Sequence, residues 1–167
     1  LTKLWTRYDG PADSTPADYR LRSGRAALQR FRHEIAPDYL DIVLLHCMQT
    51  PKWEQQMAPY MDMLSEAKEK GQVRAAGVSC HNLEALKRAA KSPWVDVILA
   101  RINPKGAKMD GKPDQVVPVL KEAKANGKAI IGMKIYGEGT LANMKTECIR
   151  YAQGLGLLDC MTVGAES

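Results

Sequence analysis

The nine residues Asp38-Tyr39-Leu40-Asp41-Ile42-Val43-Leu44-Leu45-His46 decide the reading of this chain. From Leu40 the run is apolar apart from Asp41, too short for an independent helix, and bounded by Asp and His. Such a run reads as a strand buried on both faces, the kind found in parallel sheets. A histidine at its carboxyl end raises a question that a core strand alone does not answer.

The flanking segments repeat one grammar. After LTKLW and the polar stretch RYDGPADSTPADY, SGRAALQRFRH (Ser23 to His33) predicts a helix with Ala27, Leu28 and Phe31 on one face. Beyond the histidine, Pro51 opens a second helical region in which Met57, Tyr60, Met61, Leu64 and Ala67 recur at helical spacing until Gly71 stops it. Met57, Met61 and Met63 read as core filling, because flexible thioethers suit irregular gaps. VRAAGVS (Val73 to Ser79) then predicts a strand, and NLEALKRAAK (Asn82 to Lys91) a helix capped by Asn82 or Ser79. VDVILARIN (Val95 to Asn103) is the next strand. After a polar loop follow helix QVVPVLKEAKANG, strand AIIGMKI (Ala129 to Ile135), helix LANMKTECIRYAQGLG and strand LDCMTVG (Leu158 to Gly164).

Strands alternating with helices demand a parallel sheet covered by helices, an α/β fold. A doubly wound sheet would carry a GxGxxG after its first strand, and none is present. Single polar residues stand instead at the ends of many strands: Lys3, His46, Ser79 with Cys80 and His81, Asn103, Lys134 and Glu166. That pattern favours a (β/α)8 TIM barrel, whose reacting groups sit at the carboxyl ends of its strands. A full barrel takes roughly 250 residues. With LTKLW counted, this chain supplies about six strands, so the expectation is one domain over 1–167 forming a partial barrel.

Composition narrows the function. The net charge of +5 is spread over mixed patches without a Lys/Arg block, which argues against nucleic acid. No apolar run is long enough to span a membrane, and no signal segment opens the chain, so the expected place is the cytoplasm. Cys47, Cys80, Cys148 and Cys160 lack CxxC spacing and read as free thiols rather than zinc ligands or disulfides, so no metal is expected.

A histidine at a barrel mouth can donate to a carbonyl oxygen or shuttle a proton near neutral pH, although backbone groups can equally satisfy its ring. Lys3 can stabilise developing negative charge or lie solvated at the surface. Ser79 and Cys80 can meet a planar amide, or serve as a cap and a buried thiol. Lys134 precedes IYGEG, whose glycines allow a phosphate close to the backbone or simply make a turn.

Taken in order, TKLW, SGRAALQRFRHEIAPDYLDIVLLH, AKEKGQVRAAGVSCHNLEAL, VDVILARINP and MKIYGEG resemble the aldo-keto reductase family, from the third barrel strand through the eighth. The resemblance implies an NAD(P)H-dependent oxidoreductase that reduces an aldehyde or ketone carbonyl, a small-molecule substrate, with NADPH favoured over NADH. It places the family's catalytic lysine on Lys3 and its histidine on His46. The pair holding the nicotinamide carboxamide falls on Ser79 and Cys80, a glutamine contact on Leu99, the ring-stacking residue on Met133, and a common serine on Lys134. Cys80, Leu99 and Met133 depart from the family pattern. The family's acid tyrosine and supporting aspartate precede the segment matching LTKLW, so the chain reads as a fragment; Tyr8 and Asp9 follow Lys3 and are not nominated in their place. A non-catalytic barrel protein that has lost the general-acid tyrosine is the alternative, and oligomeric state stays open.

Overall fold

A computed structural model describes residues 1–5, 17–35 and 38–164, with backbone alone at 17 and 18. Tyr8, Asp9 and Glu166 lie outside the described residues. The element order is β1 (Thr2–Leu4), α1 (Ala17–Glu34), β2 (Leu40–Met48), α2 (Trp53–Glu69), β3 (Val73–Cys80), α3 (Leu83–Lys91), β4 (Val97–Arg101), α4 (Pro113–Ala125), β5 (Ala129–Met133), α5 (Lys145–Gly154) and β6 (Cys160–Met161). Two short 3-10 turns, Gly137–Gly139 and Ala142–Met144, separate β5 from α5.

All neighbouring strands pair in parallel, in the order β1-β2-β3-β4-β5-β6. Sequence neighbours are therefore sheet neighbours throughout, the winding of a (β/α)8 barrel carried here through six strands. No helix among the described residues is long and apolar enough to cross a membrane.

Alternation along each strand sorts side chains onto two faces. One face carries Leu4, Val43, Leu45, Ala76, Val78, Ile98, Ala100 and Ile130, and packs in the large core with Trp53, Tyr60, Leu64, Leu86 and Leu120 from the helices. Each fully buried Val, Leu or Ile among these contributes about 1.5–3 kcal/mol. The opposite face, the barrel interior, holds a smaller cluster of Leu44, Val97, Leu99, Ile131 and Met133. Met63 is fully buried and Met57 and Met61 pack against the large core, as gap-filling thioethers do.

Two features fix how the strands meet. Gly77 pairs with Val97, and a Cβ on Gly77 would lie 1.8 Å from the Val97 carbonyl oxygen. Only a residue without a side chain allows β3 and β4 to approach so closely. The second feature occurs twice. Asp96, just before β4, accepts from the Ala76 N–H of β3 at 2.8 Å and pairs with Lys68 of α2. Asp159, just before β6, accepts from the Ile130 N–H of β5 at 2.7 Å and pairs with Lys124 of α4 at 2.8 Å. Each aspartate thus ties its incoming strand to the neighbouring strand and to the helix that feeds that neighbour.

Several boundaries differ from the sequence reading. Helix α1 begins at Ala17, well before Ser23. Strand β2 runs past His46 to Met48 through an irregularity between Leu45 and Met48, where Cys47 turns left-handed at φ 69°. Strand β5 stops at Met133 because Lys134 is also left-handed, at φ 56°. Strand β6 keeps only Cys160 and Met161 of the expected seven-residue run.

Candidate active site

Several of the polar residues at the strand ends, Lys3, His46 and Ser79 among them, lie on the interior side of the sheet. Lys3 pairs in register with Leu44 of the interior cluster, while Leu4 faces the helices. Two residues after Leu44, His46 falls on the same side by alternation. Its Nδ1 lies 3.0 Å from the Ser79 hydroxyl, which also accepts the Cys47 N–H at 2.9 Å. The left-handed turn at Cys47 aims that N–H back at Ser79, so the irregularity in β2 builds the contact. Trp5, two residues after Lys3, lays its ring 4.6 Å from the His46 ring.

Ser79 is 1% exposed and pairs in register with Leu99, which pairs in turn with Ile131. It caps no helix: Asn82 does so for α3, accepting from the Glu84 and Ala85 N–H groups at 2.9 and 3.1 Å. Leu99 and Met133 lie in the interior cluster, 3% and 7% exposed. Cys80 points the other way, fully buried in the helix-facing core, where burial first and then the Asp110 and Cys47 charges push its thiol pKa up. Lys3, His46, Ser79, Leu99 and Met133 thus share a face that Cys80 does not.

Lys134 follows at the end of β5, half-buried, with Nζ 2.7 Å from Glu138. That hydrogen bond holds the Glu138 carboxyl below its ordinary pKa. The fully buried Asn103 pins the backbone of Lys134: its amide donates to the Lys134 carbonyl at 3.1 Å and the Ala107 carbonyl at 2.8 Å, while its oxygen accepts from Lys105 and Ala107. Asn103 therefore organises the loops around the mouth.

Arg101 and Asp110, which the sequence reading did not single out, join the site together with His81, which it had placed at a strand end without a role. Arg101, the register partner of Met133, places Nη2 2.6 Å from Nδ1 of His81 and Nη1 3.5 Å from Asp110. His81 stands edge-on to His46 at 5.6 Å between ring centroids. Asp110 is 1% exposed at its side chain and burial raises its pKa to about 6 against the pull of Arg101. The signal for Arg101 was available, since a lone base inside VILARI lies two residues past Leu99 and so on the same face. Asp110 comes from an irregular loop and has no such periodicity. The mouth thus gathers three cations, Lys3, Arg101 and Lys134, around two histidines, with Glu138 paired to Lys134 and the near-buried Asp110 behind Arg101.

The aldo/keto reductase family model matches residues 1–155. Among solved structures, a Pseudomonas aeruginosa protein assigned to the aldo-keto reductases is 19% identical with a TM-score of 0.69, over 87% of this chain and 52% of that one. The apo form of an aldo-keto reductase from Bacillus halodurans is 14% identical with a TM-score of 0.67, over 91% and 59%. Glycerol dehydrogenase from Gluconobacter oxydans is 15% identical with a TM-score of 0.53, over 71% and 34%. At these identities the likeness is one of fold. The chain spans about half the length of the first two structures. No curated protein matches it in sequence.

Proposed function

This chain belongs to the aldo/keto reductase family, and from that premise we propose that the protein is an NAD(P)H-dependent oxidoreductase that reduces an aldehyde or ketone carbonyl. In this reading the segment corresponds to the third through eighth barrel strands, as one domain. The observation that carries the proposal is that Lys3, His46 and Ser79 lie on one face of β1, β2 and β3, with Nδ1 of His46 3.0 Å from the Ser79 hydroxyl.

The residues at the mouth fit a nicotinamide dinucleotide in part. Ser79 offers a hydroxyl to the carboxamide, Met133 and Leu99 an apolar surface to the ring, and Lys134 a positive charge to the phosphates. Gly139 adds backbone beside Lys134 with open space around its α-carbon. Cys80 does not fit, because its thiol is enclosed among the helix-facing residues. When bound, the cofactor supplies the hydride; the chain's own groups bind, orient and polarise.

His46 orients the substrate carbonyl through Nε2. If the Ser79 hydroxyl, already accepting from Cys47, gives its proton to Nδ1, the ring hydrogen rests on Nε2, where it can meet an oxygen. Lys3 stabilises the negative charge that develops at the proton donor, which the family pattern makes a tyrosine on an earlier strand. The family resemblance favours NADPH over NADH. The substrate is a small carbonyl compound.

A second reading is a barrel that binds without turning over, favoured by Leu99 and Cys80, neither of which offers an amide contact to a nicotinamide. Fold alone does not separate the two. NADPH fluorescence titration followed by an aldehyde turnover assay does: binding with consumption supports the reductase, and binding without consumption across a broad carbonyl panel supports the second reading.

A further inference from the structure

Arg101 engages a neighbour for which the reductase reading has no use. His81 extends the line of β3, its N–H donating to the Met48 carbonyl at 2.8 Å. Its ring reaches the site on the interior side, in contact with His46 and Arg101. A guanidinium has only donors. With Arg101 Nη2 2.6 Å from Nδ1, that nitrogen must accept, and the ring hydrogen of His81 must sit on Nε2, on the far side of the ring. Asp110 stands 3.5 Å behind the same guanidinium, its carboxylate enclosed and without another hydrogen-bond partner, and so steadies Arg101 from the other side.

The charges facing His81 come from four strand ends: Arg101 from β4, His46 from β2, Lys134 after β5 and Lys3 from β1, with Asp110 behind Arg101. Burial first, and then these cations, lower its pKa to about 4. The imidazole is held neutral in one tautomer and cannot act as a proton shuttle near neutral pH.

We infer that His81 is a locked neutral hydrogen-bond donor, presenting Nε2–H to the carbonyl-type oxygen of a bound ligand, either the cofactor's carboxamide or the substrate's carbonyl. The identity of the ligand rests on the reductase reading; the lock does not. An uncharged donor among Lys3, Arg101 and Lys134 suits an oxygen that gathers negative charge without taking a proton from the ring. It also supplies, on the mouth side of the same strand end, the polar contact that Cys80 is turned away from making.

Long-range proton–nitrogen spectra of histidine-labelled protein test the lock. His81 should remain the neutral Nε2–H tautomer from about pH 8 to about pH 5. A hydrogen on Nδ1, or a midpoint near the ordinary value of about 6.5, overturns it. Adding NADP+, and then benzaldehyde, to the same sample should shift the Nε2 proton at the step whose oxygen accepts it. His81→Phe keeps an aromatic ring and removes the donor. If the carboxamide is the acceptor, NADP+ affinity falls about tenfold; if the substrate is, NADP+ affinity holds and the benzaldehyde KM rises about tenfold. Both unchanged overturns the donor role. Failure of the parent protein to bind NADP+ overturns the reductase reading and the ligand assignment with it, while the spectra still decide the lock.

Discussion

His46 and Ser79 lie on adjacent strands with Nδ1 and Oγ 3.0 Å apart, and the Ser79 oxygen accepts the backbone N–H of Cys47, the residue after His46. The serine thereby holds both the histidine ring and the backbone that carries it. Replacing Ser79 with Ala removes the hydroxyl from Nδ1 of His46 and leaves the part-buried Cys47 N–H without it. Ser79→Ala should lower kcat/KM for carbonyl reduction by roughly tenfold or more. A variant with parental kcat/KM would mean that the ring is positioned by something else.

The backbone contact at Gly77 makes a prediction about stability alone. Gly77→Ala drives a methyl into the Val97 carbonyl and must part β3 from β4. The loss should reach about 3 kcal/mol or more, as for overpacking against an unyielding neighbour. Urea denaturation measures it; a loss under about 0.5 kcal/mol would mean that β3 and β4 are less closely apposed.

Lys124 holds the Asp159 carboxyl below its ordinary pKa, aided by the Ile130 N–H. A depressed carboxyl contributes stability above its unfolded pKa and loses it as pH falls through the folded value. The pair is partly exposed, so Asp159→Asn should cost about 1 kcal/mol or less at neutral pH, with the difference from the parent vanishing in acid. Thermal melts along a pH series test this; a difference that persists at the acid end contradicts it.

Asp110 and His81 oppose each other in the same pH range. Asp110, raised to about 6, loses stability as pH rises from its unfolded value near 3.8 through 6. His81, lowered to about 4, loses stability as pH falls from its unfolded value near 6.5 through 4. Relative to the parent, Asp110→Asn should gain stability as pH rises across this window, and His81→Phe should do the reverse. Difference profiles of equal sign would mean that the two groups are not perturbed as described.

Much of the fold was legible because parallel strands buried on both faces are written as apolar runs, and the alternation with helices left few architectures open. The boundaries that moved have local causes. Cys47 and Lys134 adopt left-handed backbone, which a sequence marks clearly only where glycine stands. The sequence reading brought His46 and Lys3 to the mouth because each is a single polar residue at a strand end. Alternation, had it been carried two residues past Leu99 and Lys3, would have added Arg101 and Trp5. The same alternation separates Ser79 from Cys80, whereas the resemblance treats them as a pair. Asp110 and the Asp96 and Asp159 ties depend on loops and on registers between distant segments, which no local pattern encodes.

Carbonyl reduction at the mouth formed by Lys3 and His46 is tested by NADPH consumption with an aldehyde panel by the parent protein, Lys3→Met and His46→Ala. The parent should turn over, and each variant should lose roughly a hundredfold or more in kcat with NADPH binding retained. A parent that binds no NADPH, or variants that turn over as fast as the parent, would contradict it.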